Sequence, residues 1–204
     1  MTDFGNPSYW DERYSADENQ YDWYQDFNGL EKYIAPYLKR FPDFEVLLAG
    51  CGNSKLSASL YDKGFKNITN IDISTVVINQ MSVKYSMREE MEFTVMDARN
   101  MEFIPDNCFD LIIDKALFDS VLCSENNLKD VEHMLKEMYR VLKAGGTYLI
   151  VSHGAPDNRL SHFKHHINMN VEIVSIPKPE LKSVDEEGEA MFHYLYVLSK
   201  STGK

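Results

Sequence analysis

Val46-Leu47-Leu48-Ala49 runs directly into Gly50-Cys51-Gly52, and Asp72 follows at the end of a second apolar stretch, Ile68 to Ile71. A buried strand that ends in a glycine turn lets main chain approach a ligand closely, in conformations that a Cβ forbids. An acid about 20 residues beyond such a turn is placed to grip the two hydroxyls of a ribose. The chemistry these residues can do is therefore nucleoside binding. A dinucleotide reader would carry a third glycine at position 55, where Lys55 stands, and the chain has no Walker A run. A nucleoside without a phosphate chain fits better, and S-adenosylmethionine is the common cofactor of that kind. Asn53 or Ser54 is placed to cap the helix that follows.

Further acids recur at strand ends. Glu92 to Met96 reads as a strand and delivers Asp97-Ala98. The Asp97 carboxylate can accept from an adenine amino group, and the Ala98 N–H can donate to a ring nitrogen. Cys108 to Ile113 reads as another buried strand and ends in Asp114-Lys115. Gly50, Asp72, Asp97 and Asp114 thus share the carboxyl edge of one sheet, where open α/β sheets bind ligands.

The elements that must position them follow from hydrophobic period. Strands are expected at about 45–49, 67–71, 91–95, 109–113 and 147–152, with two more at 171–176 and 192–199 around a polar loop at 177–189. Helices are expected at about 29–40, 54–63, 74–87 (Ser74 as cap), 126–142 and 158–166. Residues 141–147 read as a helix end, a glycine turn and a strand start. Residues 1–26 read as an ordered aromatic extension. Five strands alternating with helices specify an α/β, doubly wound, mostly parallel Rossmann-like sheet, in one domain spanning 1–204.

Composition narrows the partners. A hydrophobic share of 44% and a charged share of 26% suit a globular protein. No apolar run approaches the ~20 residues that cross a bilayer, and the first residues show no signal peptide, so no membrane is expected. The net charge of −11 repels phosphates and argues against nucleic acid, while suiting a basic protein. Cys51, Cys108 and Cys123 show no metal spacing and point to a reducing, cytoplasmic setting. His162, His165 and His166 lack a carboxylate in register, so no metal is expected.

The chain resembles the class I, seven-stranded S-adenosylmethionine-dependent methyltransferases over nearly its whole length. More narrowly, it is similar to the methyltransferase-like group that includes lysine methyltransferases of translation elongation factor 1-alpha. The resemblance is carried by Tyr9-Trp10-Asp11-Glu12-Arg13-Tyr14, Tyr21-Asp22-Trp23-Tyr24, Leu48-Ala49-Gly50-Cys51-Gly52-Asn53-Ser54, Ile71-Asp72-Ile73-Ser74, Met96-Asp97-Ala98-Arg99 and Phe109-Asp110-Leu111-Ile112-Ile113-Asp114-Lys115. It implies seven strands with an antiparallel C-terminal edge hairpin. It implies cofactor contacts from Trp10, Tyr14 and Trp23, whose aromatic faces favour a sulfonium, and from Lys115 beside Asp114. Ile73 is expected against the adenine. Where relatives often carry glycine after the lysine, this chain has Ala116.

The expected acceptor is a lysine of a protein substrate, with elongation factor 1-alpha suggested by the resemblance alone, and the chain is expected to act as a monomer. Tyr9, Asp119 and His153 are candidates for the acceptor pocket, and Asp119 or Asp114 can bind and align the ammonium. Positioning is expected to dominate without a dedicated strong base. No Asn/Asp-Pro-Pro-aromatic sequence is present, which argues against methylation of nucleic-acid bases. A small-molecule methyltransferase and a non-catalytic partner that keeps the fold remain the alternatives.

Overall fold

A computed structural model describes residues 4–39, 43–179 and 192–202. Seven strands form one sheet in the order β3-β2-β1-β4-β5-β7-β6. They are β1 (Val46–Ala49), β2 (Ile68–Asp72), β3 (Met91–Val95), β4 (Phe109–Lys115), β5 (Leu142–Ser152), β6 (Asn170–Pro177) and β7 (Phe192–Ser199). The first five pair in parallel, and β7 runs antiparallel between β5 and β6.

The central strands read as unbroken apolar runs because both faces are covered. Leu47, Ala49, Ile112, Tyr148 and Ile150 face one layer, with α5 (Leu117–Leu122), α6 (Asn127–Val141) and α7 (Leu160–His166) packed on it. Val46, Leu48, Leu111, Ile113, Leu149 and Val151 face the other, under α2 (Phe27–Ile34) and α3 (Leu56–Asp62). A third, smaller cluster joins α4 (Thr75–Lys84) to Tyr14 of α1 (Pro7–Ala16).

Several elements depart from the expectation. Residues 7–16 form a helix, started by Asn6, whose side chain accepts from Ser8 N–H, and by Pro7 at the first helical position. The helix expected at 29–40 starts earlier, with Asp26 as its cap, and gives way to a 3-10 turn at Ala35–Tyr37. Pro36 has no N–H to continue the α ladder. α5 was not anticipated. β5 begins at Leu142 rather than 147 and carries the glycine turn inside it, as a register shift against β4 with Gly145 at φ 79°. Most of the loop at 177–189 lies outside the described residues. Among those described, no helix is long and apolar enough to cross a membrane.

Candidate functional site

The carboxyl ends of β1, β2 and β4 open into a cleft of about 970 Å³ of empty space, counting its mouth. Gly50–Ser54, Asp72, Ile73, Met96–Arg99 and Lys115–Leu117 form its floor and sides, and Trp10, Tyr14, Tyr21 and Trp23 its cover. Gly50 and Gly52 both hold left-handed backbone, at φ 61° and 51°. A Cβ on Gly50 would meet Leu117 Cβ at 2.8 Å, and one on Gly52 would meet the Tyr14 hydroxyl at 2.8 Å. Glycine is thus required by backbone and by space.

Asp72 is buried beneath this turn. Its Oδ2 accepts from Gly52 N–H (2.9 Å) and its Oδ1 from Ser74 N–H (3.0 Å). Ile73 N–H donates to it as well, and the side chain lines the cleft. Burial raises its pKa against the pull of those N–H groups. Ser74 caps α4, as expected, by accepting from Val77 N–H.

Asp97 also lines the cleft, but it is held by a residue to which the sequence reading gave no role. Arg99 forks its carboxylate at 2.7–3.0 Å and reaches on to Asp130 at 2.9 Å. Hydrogen bonding to Asp97 raises the Arg99 pKa, so the carboxylate is fixed in place by a permanent cation. Ala98 and Ile73 line the cleft beside it.

The cover is built from two pieces. α1 is pinned to the start of α4 by Asp11, which accepts from Ser74 Oγ (2.6 Å) and Val76 N–H (3.2 Å). Trp10 and Tyr14, one turn apart, stack at 6.0 Å. Residues 19–24 are then held by the glycine turn itself. Asn53 accepts from Tyr21 N–H and donates to Asn19 O, and Ser54 Oγ donates to Asp22. Ser54 Oγ also accepts from Leu56 N–H, but the cap position of α3 is Lys55, without a side-chain cap, rather than Asn53 or Ser54. Arg13 lies over the Trp23 ring at 5.3 Å.

Three expected site residues are placed differently. Lys115 lines the cleft, but its buried ammonium pairs with Asp22 (3.1 Å) and donates to Trp23 O (3.1 Å), so it clamps the cover. Burial lowers its pKa against the pull of Asp22. Asp114 does not line the cleft. It is fully buried and accepts from Leu117 N–H, Phe118 N–H and Tyr148 Oη, which starts α5; burial pushes it up to about 7. Cofactor contact and ammonium alignment are both corrected for it. Tyr9 packs edge-on against Phe4 and Trp10, outside the cleft. On a helix that turns Trp10 and Tyr14 inward, position 9 points elsewhere.

Asp119 and His153 do come together, joined by residues to which the sequence reading gave no role. Buried Asp119 accepts from Ser152 Oγ (2.6 Å), His153 N–H (3.0 Å), Tyr24 Oη (2.9 Å) and the Arg159 guanidinium (2.9 Å), and its Oδ2 lies 2.8 Å from His153 Nδ1. Desolvation works to raise its pKa, but His153, Ser152 and Arg159 outweigh it and hold the group at about 2. Among the described residues no three metal-ligating groups gather; the side chains of His165 and His166 lie outside the description.

Residues 47–150 match the family model described as a methyltransferase domain. Mouse "eEF1A lysine and N-terminal methyltransferase" is 42% identical over 154 residues, which are 74% of this chain but 22% of that protein. Mouse "EEF1A lysine methyltransferase 4" is 33% identical over 165 residues, 76% of this chain and 64% of that one. The chain therefore spans about a fifth of the first relative's length and just under two thirds of the second's. A solved S-adenosylmethionine-dependent methyltransferase of Methanosarcina mazei shares the fold, with a TM-score of 0.61 at 20% identity over 84% of this chain and 98% of that one.

Proposed function

Since the chain belongs to the methyltransferase-domain family, the class I enzymes that use S-adenosylmethionine, we propose that it methylates a lysine side chain of a protein, with translation elongation factor 1-alpha the first acceptor to test. The domain is taken to span 1–204, with 1–26 as cover, working as a cytoplasmic monomer.

The observation that carries this reading is the fit of the cleft to the cofactor. Two left-handed glycines leave room where any Cβ would collide. Beneath them, Asp72, bound by the N–H groups of Gly52, Ile73 and Ser74, lines the cleft where it would accept from the ribose hydroxyls. Asp97, fixed by Arg99, lines the cleft where it would meet the adenine amino group, with Ile73 and Ala98 beside it. Trp10, Tyr14 and Trp23 line the cleft, where aromatic rings would favour a cationic sulfur. When bound, the cofactor supplies an electrophilic methyl group. The protein supplies position and exclusion of water by the aromatic cover. The protein acceptor is supported by the names of the relatives and by the net charge of −11, which favours a basic partner.

Calorimetry with S-adenosylmethionine and transfer of tritiated methyl to purified elongation factor 1-alpha and to a cell extract test the reading. Binding and a labelled protein, with mass spectrometry placing the methyl on lysine, are expected. No heat of binding would leave a fold-retaining partner protein. Binding without any labelled protein would point to a small-molecule acceptor.

A further inference from the structure

Four parts of the chain converge on the Asp119 carboxylate: Tyr24 from the cover, Asp119 itself in α5, Ser152-His153 at the end of β5, and Arg159 before α7. The arrangement fixes the tautomer of His153. Its Nδ1 lies 2.8 Å from Asp119 Oδ2 and 2.9 Å from Tyr24 Oη. Asp119, held at about 2, is an acceptor only. Burial pushes the Tyr24 phenol far up, so it keeps its proton and donates it to Asp119. A bare Nδ1 lone pair facing that carboxylate would be repelled, so Nδ1 carries the hydrogen. The basic lone pair then sits on Nε2. Among the described residues no hydrogen bond engages Nε2, and the side chain is 55% exposed.

Tyr24, Asp119 and His153 do not line the cleft themselves, but Trp23, next to Tyr24, and Ser120, next to Asp119, do, so the pair lies one residue behind its lining. Tyr24 itself is held at φ 64°, backbone that a tyrosine rarely adopts, which aims its hydroxyl at the pair. The other charged or titratable groups around the ring are Arg159, which neutralises Asp119, Asp114 behind it, and His193 of β7 with Lys178 beyond. Burial, with help from Lys178 and His153, holds His193 down to about 4, so it is neutral near pH 7.

We infer that His153 takes the proton of the incoming lysine ammonium at Nε2, with Asp119 and Tyr24 as positioning residues. This rests on the lysine-methyltransferase reading and replaces the expectation of positioning alone. A lysine of ordinary pKa is neutral at pH 7 in only about one molecule in 2,500, so a base has work to do. The ammonium proton passes to Nε2, giving a neutral amine and an imidazolium, and leaves to water at the exposed ring edge. The amine lone pair then forms the N–CH3 bond as the CH3–S bond breaks, its electron pair staying on sulfur.

Nitrogen-15 NMR of the imidazole rings, assigned with a His153→Gln control, reads the tautomer without turnover. An unprotonated Nε2 and a protonated Nδ1 are expected in the neutral ring; the reverse overturns the inference. Rates with purified elongation factor 1-alpha and tritiated cofactor give the second arm. His153→Gln is expected to be about 100-fold slower at pH 7, with the deficit shrinking towards pH 10 and cofactor affinity unchanged. His153→Ala is expected to recover rate with added imidazole. Asp119→Asn is expected to show the same pH signature, and Tyr24→Phe serves if that variant does not fold. A His153→Gln enzyme with the parent's rate and pH profile would overturn the base while leaving the methyltransferase reading intact. A parent protein that labels no lysine would remove both.

Discussion

Acidic side chains stand along one sheet edge in two contrasting conditions. On the β2 and β3 side, Asp72 and Asp97 line the cleft while accepting from the chain's own donors. On the β4 and β5 side, Asp114 and Asp119 are each bound by three or more donors of the chain itself. The same residue type along one rim of the sheet therefore lines the cleft in one half and organises the protein in the other. Access decides between the two roles: all four carboxylates accept from donors of the chain, but Asp72 and Asp97 line the cleft while Asp114 and Asp119 are enclosed by their partners.

The largest break in this contrast is expected from Asp114→Ala. It strands two backbone N–H groups and the Tyr148 hydroxyl, and should cost about 3–5 kcal/mol by urea unfolding. pH sharpens the same point. With Asp114 near 7 in the folded chain and 3.8 unfolded, the native state holds an extra proton between about pH 4 and 7. Its contribution to stability therefore falls as pH rises through that window. Asp119, held at about 2, has the opposite slope, losing its contribution as pH falls below about 4. Unfolding midpoints at pH 4.5, 6 and 7.5 should show a decline that Asp114→Asn flattens.

Asp72→Ala is next. It is expected to weaken S-adenosylmethionine binding by about 1.5–3 kcal/mol in calorimetry, whereas Asp114→Asn leaves binding nearly intact. Unchanged affinity would erase the distinction between the halves. Lys115→Met links them, since Lys115 reaches from β4 to Asp22 of the cover. A weakening of about 1–2 kcal/mol in cofactor affinity is expected, with faster proteolysis within residues 17–26. The smallest effect is expected at Ala116, held at φ 77°. Ala116→Gly relieves that backbone at the cost of a looser unfolded chain, for a net gain of about 0.5–1 kcal/mol in thermal unfolding. In this chain the left-handed turn is held by alanine.

The cofactor half was largely legible in advance. Gly50, Gly52, Asp72 and Ser74 act through neighbours close by in sequence or at a fixed strand–turn spacing, so local pattern placed them. The strands were legible for the same reason, apart from the start of β5, where a bulge interrupts the period. α1 was announced by Asn6-Pro7, but its aromatic residues follow no clean apolar stripe. α5 was hidden because it is started by an acid, Asp114, that was read as a ligand.

What the residues alone determined is the sheet, its glycine turn and the acid beyond it, because a buried strand must be apolar and a left-handed turn under a ligand must lack a Cβ. What only folding decided is which acids are spent. Tyr24 lies 95 residues from Asp119 and 129 from His153, and Lys115 lies 92 from Trp23. No periodicity connects positions so far apart. Whether a carboxylate faces the cleft or is enclosed by its own chain depends on partners that only the closed fold brings to hydrogen-bond distance.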